Sequence, residues 1–442
     1  MSFEEQDTPN FNTVAQHGGQ ESDSLTHARA VPIYQTTSYE FESPDHAASL
    51  FQMQKEGYIY SRNANPTNRV LEKRLAGLEG GVDAFAVSSG QSAITIALLT
   101  LAKAGEEIVT TNALYGGTYN LFSETFSRFG VKARFVDGTD IEEVRGAINE
   151  KTKAVFTESI GNPGLQIADI KALSKAAHDH GIPLVVDATF TTPYLQKPID
   201  YGADIVIHSV TKFIGGNGTA IGGIIIDAGS FDWGNGNFPE FTTPNRALNN
   251  QSYVELPSAS PFIAKARFEL GHNLGTALSP FHGWLFIQGL QSLSVRMRQH
   301  VENAQEVAEY LANHHLIAWV NYPTLEGDSQ YELAKIYLPK GAGSIFTFGV
   351  IGGYESAKIF INSVKLLSHV ANVGDSKTLV IHPASTTHAR LSPEEKLTAG
   401  VEEEQIRLSI GLEDVEDIKA DIDQALQKSV EASFVEEVNP FN

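Results

Sequence analysis

Asp204-Ile205-Val206-Ile207-His208-Ser209-Val210-Thr211-Lys212 reads as a short apolar strand that runs directly into hydroxyl side chains and a lysine. Upstream, Leu184-Val185-Val186-Asp187 has the same form, an apolar run closed by a charged residue. Brief β-branched runs bounded by polar residues are how strands buried on both faces of a parallel sheet read. Working outward, similar runs stand at Ala84–Ser88, Glu107–Thr111, Lys132–Val136, Ala154–Glu158 and Ile221–Ile226. Helical patterns lie between most of them: Gln91–Ala104 before Gly105, a stretch from Tyr115-Gly116-Gly117 to Arg128, and Ile170–His180. Regular alternation of this kind predicts an α/β fold, a three-layer and mainly parallel sheet.

Residues 1–65 lack this rhythm and read as an extended arm with short helical pieces. The alternation then defines an α/β domain over 66–275. Phe231–Ser260 interrupts it with a stretch rich in Gly, Pro and Asn. A smaller C-terminal α/β domain is expected over 276–442. It would hold a long helix at Gln288–Asn313, strands at Gly343–Ile351 and Gln405–Ile410, and a final amphipathic helix with Val415, Ile418, Ile422 and Leu426 on one face.

At 442 residues and 42% apolar composition the chain can bury a large core. Its net charge of −21 opposes binding to nucleic acid or an anionic membrane, and no basic run overrides it. No cysteine is present, so disulfides and thiolate metal sites are excluded. His208, His382 and His388 show no metal-ligand spacing, so no metal is expected. No apolar run reaches the roughly 20 residues of a membrane span. Met1-Ser2-Phe3-Glu4-Glu5-Gln6-Asp7 is acidic and polar, unlike a signal peptide, which points to the cytoplasm.

Ligands of open parallel sheets bind at the carboxyl ends of the strands. A lysine at one strand end and a carboxylate at an earlier one suit pyridoxal phosphate: the amine forms a Schiff base, and the acid keeps the ring nitrogen protonated. Hydroxyls at Ser209 and Thr211 and the strand-to-helix turn Ser89-Gly90-Gln91 could hold a phosphate. Tyr115 could stack on a planar ring, and Asn162 could donate to a ring hydroxyl or a carboxylate. Each has an ordinary reading as cap, turn or packing. Gly216-Asn217-Gly218 leads into a strand rather than a helix, which rules out a dinucleotide fingerprint. Arg407 sits in an alternating strand, where it would either face solvent or clamp a carboxylate; alternation alone does not choose the face.

With these residues assembled, the chain resembles the Cys/Met-metabolism family of pyridoxal phosphate enzymes, fold type I. The likeness runs from about His17 to Asp421. It is carried by Tyr60-Ser61-Arg62, Ser88-Ser89-Gly90-Gln91-Ser92-Ala93, Leu114-Tyr115-Gly116-Gly117-Thr118, Glu158-Ser159-Ile160-Gly161-Asn162-Pro163, His208–Lys212 and His382–His388. Arg29–Tyr39, Leu338–Ser344 and Ala371-Asn372-Val373-Gly374-Asp375 place it nearest the family's sulfhydrylases of O-acetylhomoserine.

The resemblance implies that Lys212 carries the cofactor, with Lys212 and Tyr115 catalytic. Asp187, with Thr189 beside it, would pair with the ring nitrogen. Ser89, Gly90, Gln91, Ser209 and Thr211 would hold the phosphate, joined by Tyr60 and Arg62 of a neighbouring subunit. Arg407, Asn162 and the backbone at Val373 would bind the substrate carboxylate. It further implies a homo-oligomer, a tetramer built from dimers with shared sites. Its substrates would be O-acetylhomoserine and sulfide or methanethiol, yielding homocysteine or methionine. Cystathionine γ-synthase, methionine γ-lyase and a catalytically silent pyridoxal protein are the alternatives. Phe241–Leu256 departs from the family pattern and is expected to reshape the substrate entrance or a subunit interface.

Overall fold

The structure, a computed structural model, describes residues 9–387, 389 and 400–438, with side chains to Ser429. Among these, seven strands form the larger sheet: β1 (Asp83–Val87), β2 (Glu107–Thr111), β3 (Lys132–Val136), β4 (Thr152–Glu158), β5 (Leu184–Asp187), β6 (Ile205–His208) and β7 (Gly223–Asp227). Their order is β1-β7-β6-β5-β4-β2-β3. The five strands from β6 to β3 run parallel, as the alternation predicts. β7 runs antiparallel to both β1 and β6. The segment between β6 and β7 contains no helix, so nothing carries the chain back for a parallel return.

β1, β2, β6 and β7 are buried along their whole length, and in β6 and β7 this shows as the consecutive aliphatic triplets Ile205-Val206-Ile207 and Ile224-Ile225-Ile226 rather than alternation. Helices cover the sheet. In Ile170–His178, Ile170, Leu173, Ala176 and Ala177 face the core, and the Asp169 side chain caps the helix by accepting the Ala172 N–H. The helix expected at Gln91–Ala104 spans Gly90–Leu101 instead. Ala102 is already extended, and Gly105 (φ +91°) shapes the turn beyond it.

Five further strands make a second sheet: β8 (Ile317–Asn321), β9 (Ile345–Val350), β10 (Ser368–His369), β11 (Leu379–Ile381) and β12 (Gln405–Ser409), ordered β10-β11-β12-β9-β8. All but the β10–β11 pair are antiparallel. The long helix expected at Gln288–Asn313 is two helices, Pro280–Gln291 and Leu293–Ala312, broken at Ser292. The break lets Arg296 reach back to the carbonyls of Gly289, Phe213 and Ile214. This ties the second half of the chain to the segment that carries Lys212. The last helix, Val415–Val438, buries Ile418, Ile422 and Leu426 as expected. Its Asp421 carboxylate accepts the backbone N–H groups of Lys365, Leu366 and Leu367. Among the described residues no helix is long and apolar enough to cross a membrane.

Candidate active site

A cavity of about 290 Å³ opens where β4, β5 and β6 end and the helix Gly90–Leu101 begins, with Ala371–Val373 and Arg407 of β12 forming its far wall. Its size lies near the lower end of small-molecule sites, roughly 300–1,000 Å³. A larger groove of about 860 Å³ runs along β8, but no lysine, arginine or histidine lines it. The chemistry is at the smaller cavity.

Ser89 caps the helix at its mouth by accepting the Ser92 N–H. Gly90 is required there because a Cβ would lie 2.7 Å from Ser209 Cβ. β7 also comes in close: a Cβ on Gly223 would meet the Ser89 carbonyl at 2.1 Å. The helix start is thus pressed against Ser209, and backbone N–H groups and hydroxyls converge on one spot, the arrangement an anion needs. Thr211 Oγ1 bonds the backbone of Gly222, and Gln91 donates to Thr118.

Asp187 stands at the end of β5. Its Oδ1 accepts both the N–H and the hydroxyl of Thr189, and Thr189 Oγ1 in turn accepts the Ser209 N–H. Burial pushes the Asp187 carboxyl above its ordinary range, and the Thr189 bonds oppose that. Lys212 Nζ donates to Asn372 Oδ1. Burial, and then the positive charge of Arg407, lower its pKa to about 8. Arg407 is 6% exposed, and its Nη1 donates to Asn162 Oδ1 at 3.1 Å. β12 is buried on both faces, so the solvent-facing alternative for Arg407 falls away. Burial brings its pKa down to about 10. Val373 is buried in the same wall, and Tyr115, half exposed, lines the cavity opposite.

Tyr60 and Arg62 do not line the cavity. Both are exposed, with the Arg62 guanidinium 5.2 Å from the centre of the Tyr60 ring. Phe241–Leu256 does not reach it either. That stretch folds around Trp233, which stacks on Phe241 and Phe262. Glu158 and Asn372 do line it, although the sequence reading assigned them no role. Glu158 had the same signal as Asp187, an acid closing an apolar strand. Asn372 had none, because its contact with Lys212 spans 160 positions of chain.

Pyridoxal phosphate fits this set. Among the described residues Asp187 has no salt bridge and Arg407 no carboxylate partner, so an acid awaits a cation and a cation awaits an acid on two walls of one cavity. A family model for Cys/Met metabolism PLP-dependent enzymes matches residues 12–427. The chain belongs to this family. Members depend on pyridoxal phosphate, and this chain does too. It is 51% identical over 424 residues to an O-acetyl-L-homoserine sulfhydrylase of Leptospira meyeri, covering 94% of this chain and 96% of that protein. It is 48% identical to a homocysteine synthase of Schizosaccharomyces pombe, covering 95% and 99%. A crystal structure of a Campylobacter jejuni protein assigned as an O-acetylhomoserine (thiol)-lyase superposes with a TM-score of 0.91 at 40% identity, covering 95% of this chain and 100% of that one. That structure carries a pyridoxyl-lysine phosphate. The family's fold type I architecture, a mainly parallel sheet with a smaller α/β part, is the one described above.

His208 and His382 are both held by hydrogen bonds away from the cavity. His208 is fully buried between the Ala188 carbonyl and Glu79 Oε1, and His382 meets Ser385 and the Glu403 carbonyl. His388 lies outside the described residues. No group of three or more His, Cys, Asp or Glu among the described residues is placed to hold a metal. Replacing His208 would strand Glu79 in the core beneath the strand that leads to Lys212. His208→Ala is therefore expected to cost about 3–5 kcal/mol, read as a lower urea midpoint of unfolding.

Proposed function

We propose that the chain is an O-acetylhomoserine sulfhydrylase, exchanging the acetate of O-acetylhomoserine for sulfide or methanethiol to give homocysteine or methionine. The observation that carries this reading is the pair Lys212 and Arg407 lining one cavity, an amine of lowered basicity and a guanidinium without an acid partner among the described residues. An amino acid's carboxylate would go to Arg407, pinned by Asn162, and to the backbone at Val373. Its α-carbon would then stand within reach of Lys212. Bound pyridoxal phosphate supplies an electron sink for charge developing on substrate carbon.

Lys212 would hold the cofactor and, once released by the incoming amine, move protons from the substrate's α-carbon. Asp187, oriented by Thr189, would face the ring nitrogen. Tyr115 would cover the ring, and Ser89, Gly90, Gln91, Ser209 and Thr211 would take the phosphate. The purified chain incubated with O-acetylhomoserine and sulfide should release homocysteine and acetate in equal amounts. Release of 2-oxobutyrate alone would replace this reading with γ-elimination.

We infer that the active unit is a homo-oligomer, a tetramer built from dimers, with Tyr60 and Arg62 of the arm (residues 1–65) serving a neighbour's cavity. The support is their exposure and their absence from the lining of their own protomer's cavity. Co-expressing Lys212→Ala with Arg62→Ala subunits is expected to restore about a quarter of wild-type turnover, because half the dimers are mixed and each mixed dimer has one intact site. No recovery would place Arg62 in its own protomer's site.

A further inference from the structure

Glu158 closes β4 at the same register as Asp187 on β5, so the two carboxyl groups leave adjacent strands on one face and enter the same cavity. Glu158 is buried, and its Oε1 accepts the backbone N–H of Tyr115 at 2.7 Å. Tyr115 sits at the start of the short helix Gly116–Asn120, and its side chain makes no capping bond. Gly117 lies under its ring, where a Cβ would come within 2.5 Å of Cε1. Two features therefore locate this half-exposed ring: the bare backbone at Gly117 and the bond from Glu158 to the residue's own N–H.

We propose that Glu158 is a positioning residue that acts through Tyr115: by accepting the Tyr115 N–H it sets where the aromatic ring stands over the cavity. The inference rests on the cofactor reading above, in which Tyr115 covers the bound ring. The carboxyl group suits this task in its neutral form. Two buried acids at one register repel each other as anions, which favours the protonated form of the one less supported by hydrogen bonds. Asp187 has two bonds from Thr189 that favour its anion, whereas Glu158 has a single backbone N–H. Glu158 is accordingly held well above its ordinary range, by burial first and by Asp187 second. It then accepts from Tyr115 while leaving the negative charge to Asp187, where a ring nitrogen needs it.

The amide of glutamine is the neutral acceptor of the same shape, and alanine removes the acceptor. Wild type, Glu158→Gln and Glu158→Ala would be compared at equal cofactor occupancy by visible circular dichroism of the bound cofactor, cofactor Kd, kcat, KM and Tm. Glu158→Gln is expected to keep the dichroic band and a kcat/KM within about threefold of wild type. Glu158→Ala is expected to keep the absorbance band, lose most of the dichroism and fall about tenfold or more in kcat, because the ring is misplaced. A Glu158→Ala protein with unchanged dichroism, whether or not its Tm falls, overturns the proposal. So does a Glu158→Gln protein as impaired as the alanine variant. If Glu158→Ala does not fold, the glutamine variant decides alone: wild-type dichroism supports the role and altered dichroism overturns it. A wild-type protein with no visible band would instead sink the cofactor reading, and the two failures are distinct.

Discussion

Lys212→Ala is expected to abolish the visible absorbance of lysine-bound cofactor and to lower turnover of O-acetylhomoserine by at least about 10⁴-fold. The size follows from two tasks lost at once, the covalent hold on the cofactor and the proton transfer at the α-carbon. The fold should survive. The backbone around Lys212 is anchored by Gly216 donating to the Lys212 carbonyl and by Arg296 holding the Phe213 and Ile214 carbonyls. Gly374 comes so near Lys212 Cβ, an atom that alanine keeps, that a Cβ on Gly374 would lie 3.0 Å from it. A variant that retains the band, or loses less than about tenfold in turnover, would remove Lys212 from the mechanism. The wild-type lysine carries a further signature. Only the neutral amine attacks a carbonyl, and the Lys212 ammonium is disfavoured by burial and by Arg407 until its pKa is about 8. Cofactor uptake by the apoprotein should therefore accelerate as pH rises towards 8 and level off above it, where an unperturbed lysine would keep accelerating to beyond pH 10.

Much of this was legible in the chain because the residues that build the floor of the site are local. Ile205-Val206-Ile207 is apolar throughout since β6 is covered on both faces, and its polar continuation marks where the strand leaves the sheet. The same holds for Leu184–Asp187. What sequence alone could not supply is long-range. β7 lies between β1 and β6, a placement set by which neighbour a helix-free return can reach, and no periodicity encodes that. The break at Ser292 is invisible to a helical pattern that continues through it, and the contacts that go with it, from Arg296 to the Phe213 and Ile214 carbonyls, lie some 80 residues away in the chain. Asn372 reaches Lys212 across the two sheets. Glu158 carries the signal that marks Asp187, an acid closing an apolar strand, but it opens the turn that ends in Asn162-Pro163, and the turn masks it. The division at residues 65 and 275 is a reading of rhythm, and contacts such as Lys212–Asn372 and Arg407–Asn162 cross it, so the two parts build the site together.

Arg407→Ala should raise KM for O-acetylhomoserine by roughly 30- to 5,000-fold, the range that about 2–5 kcal/mol of lost binding to a buried, hydrogen-bonded charge converts to. The argument turns on how Arg407 is held. It is 94% exempt from solvent contact, on a central strand, with Asn162 as its hydrogen-bonded neighbour. A guanidinium buried without an acid is costly, and the cost is recovered only when a carboxylate arrives. Arg407→Lys separates charge from shape. An ammonium keeps the sign but not the two parallel donors, so it should recover only part of the loss. The same arginine also acts on Lys212. Removing its charge relieves a repulsion on the ammonium, which must raise the Lys212 pKa and move the cofactor-uptake profile of Arg407→Ala to higher pH. Arg407→Lys, still cationic, should leave that profile near wild type. A KM unchanged in Arg407→Ala would send the substrate carboxylate elsewhere. An unchanged KM together with a shifted uptake profile would leave Arg407 with the electrostatic task alone, that of keeping Lys212 ready to react.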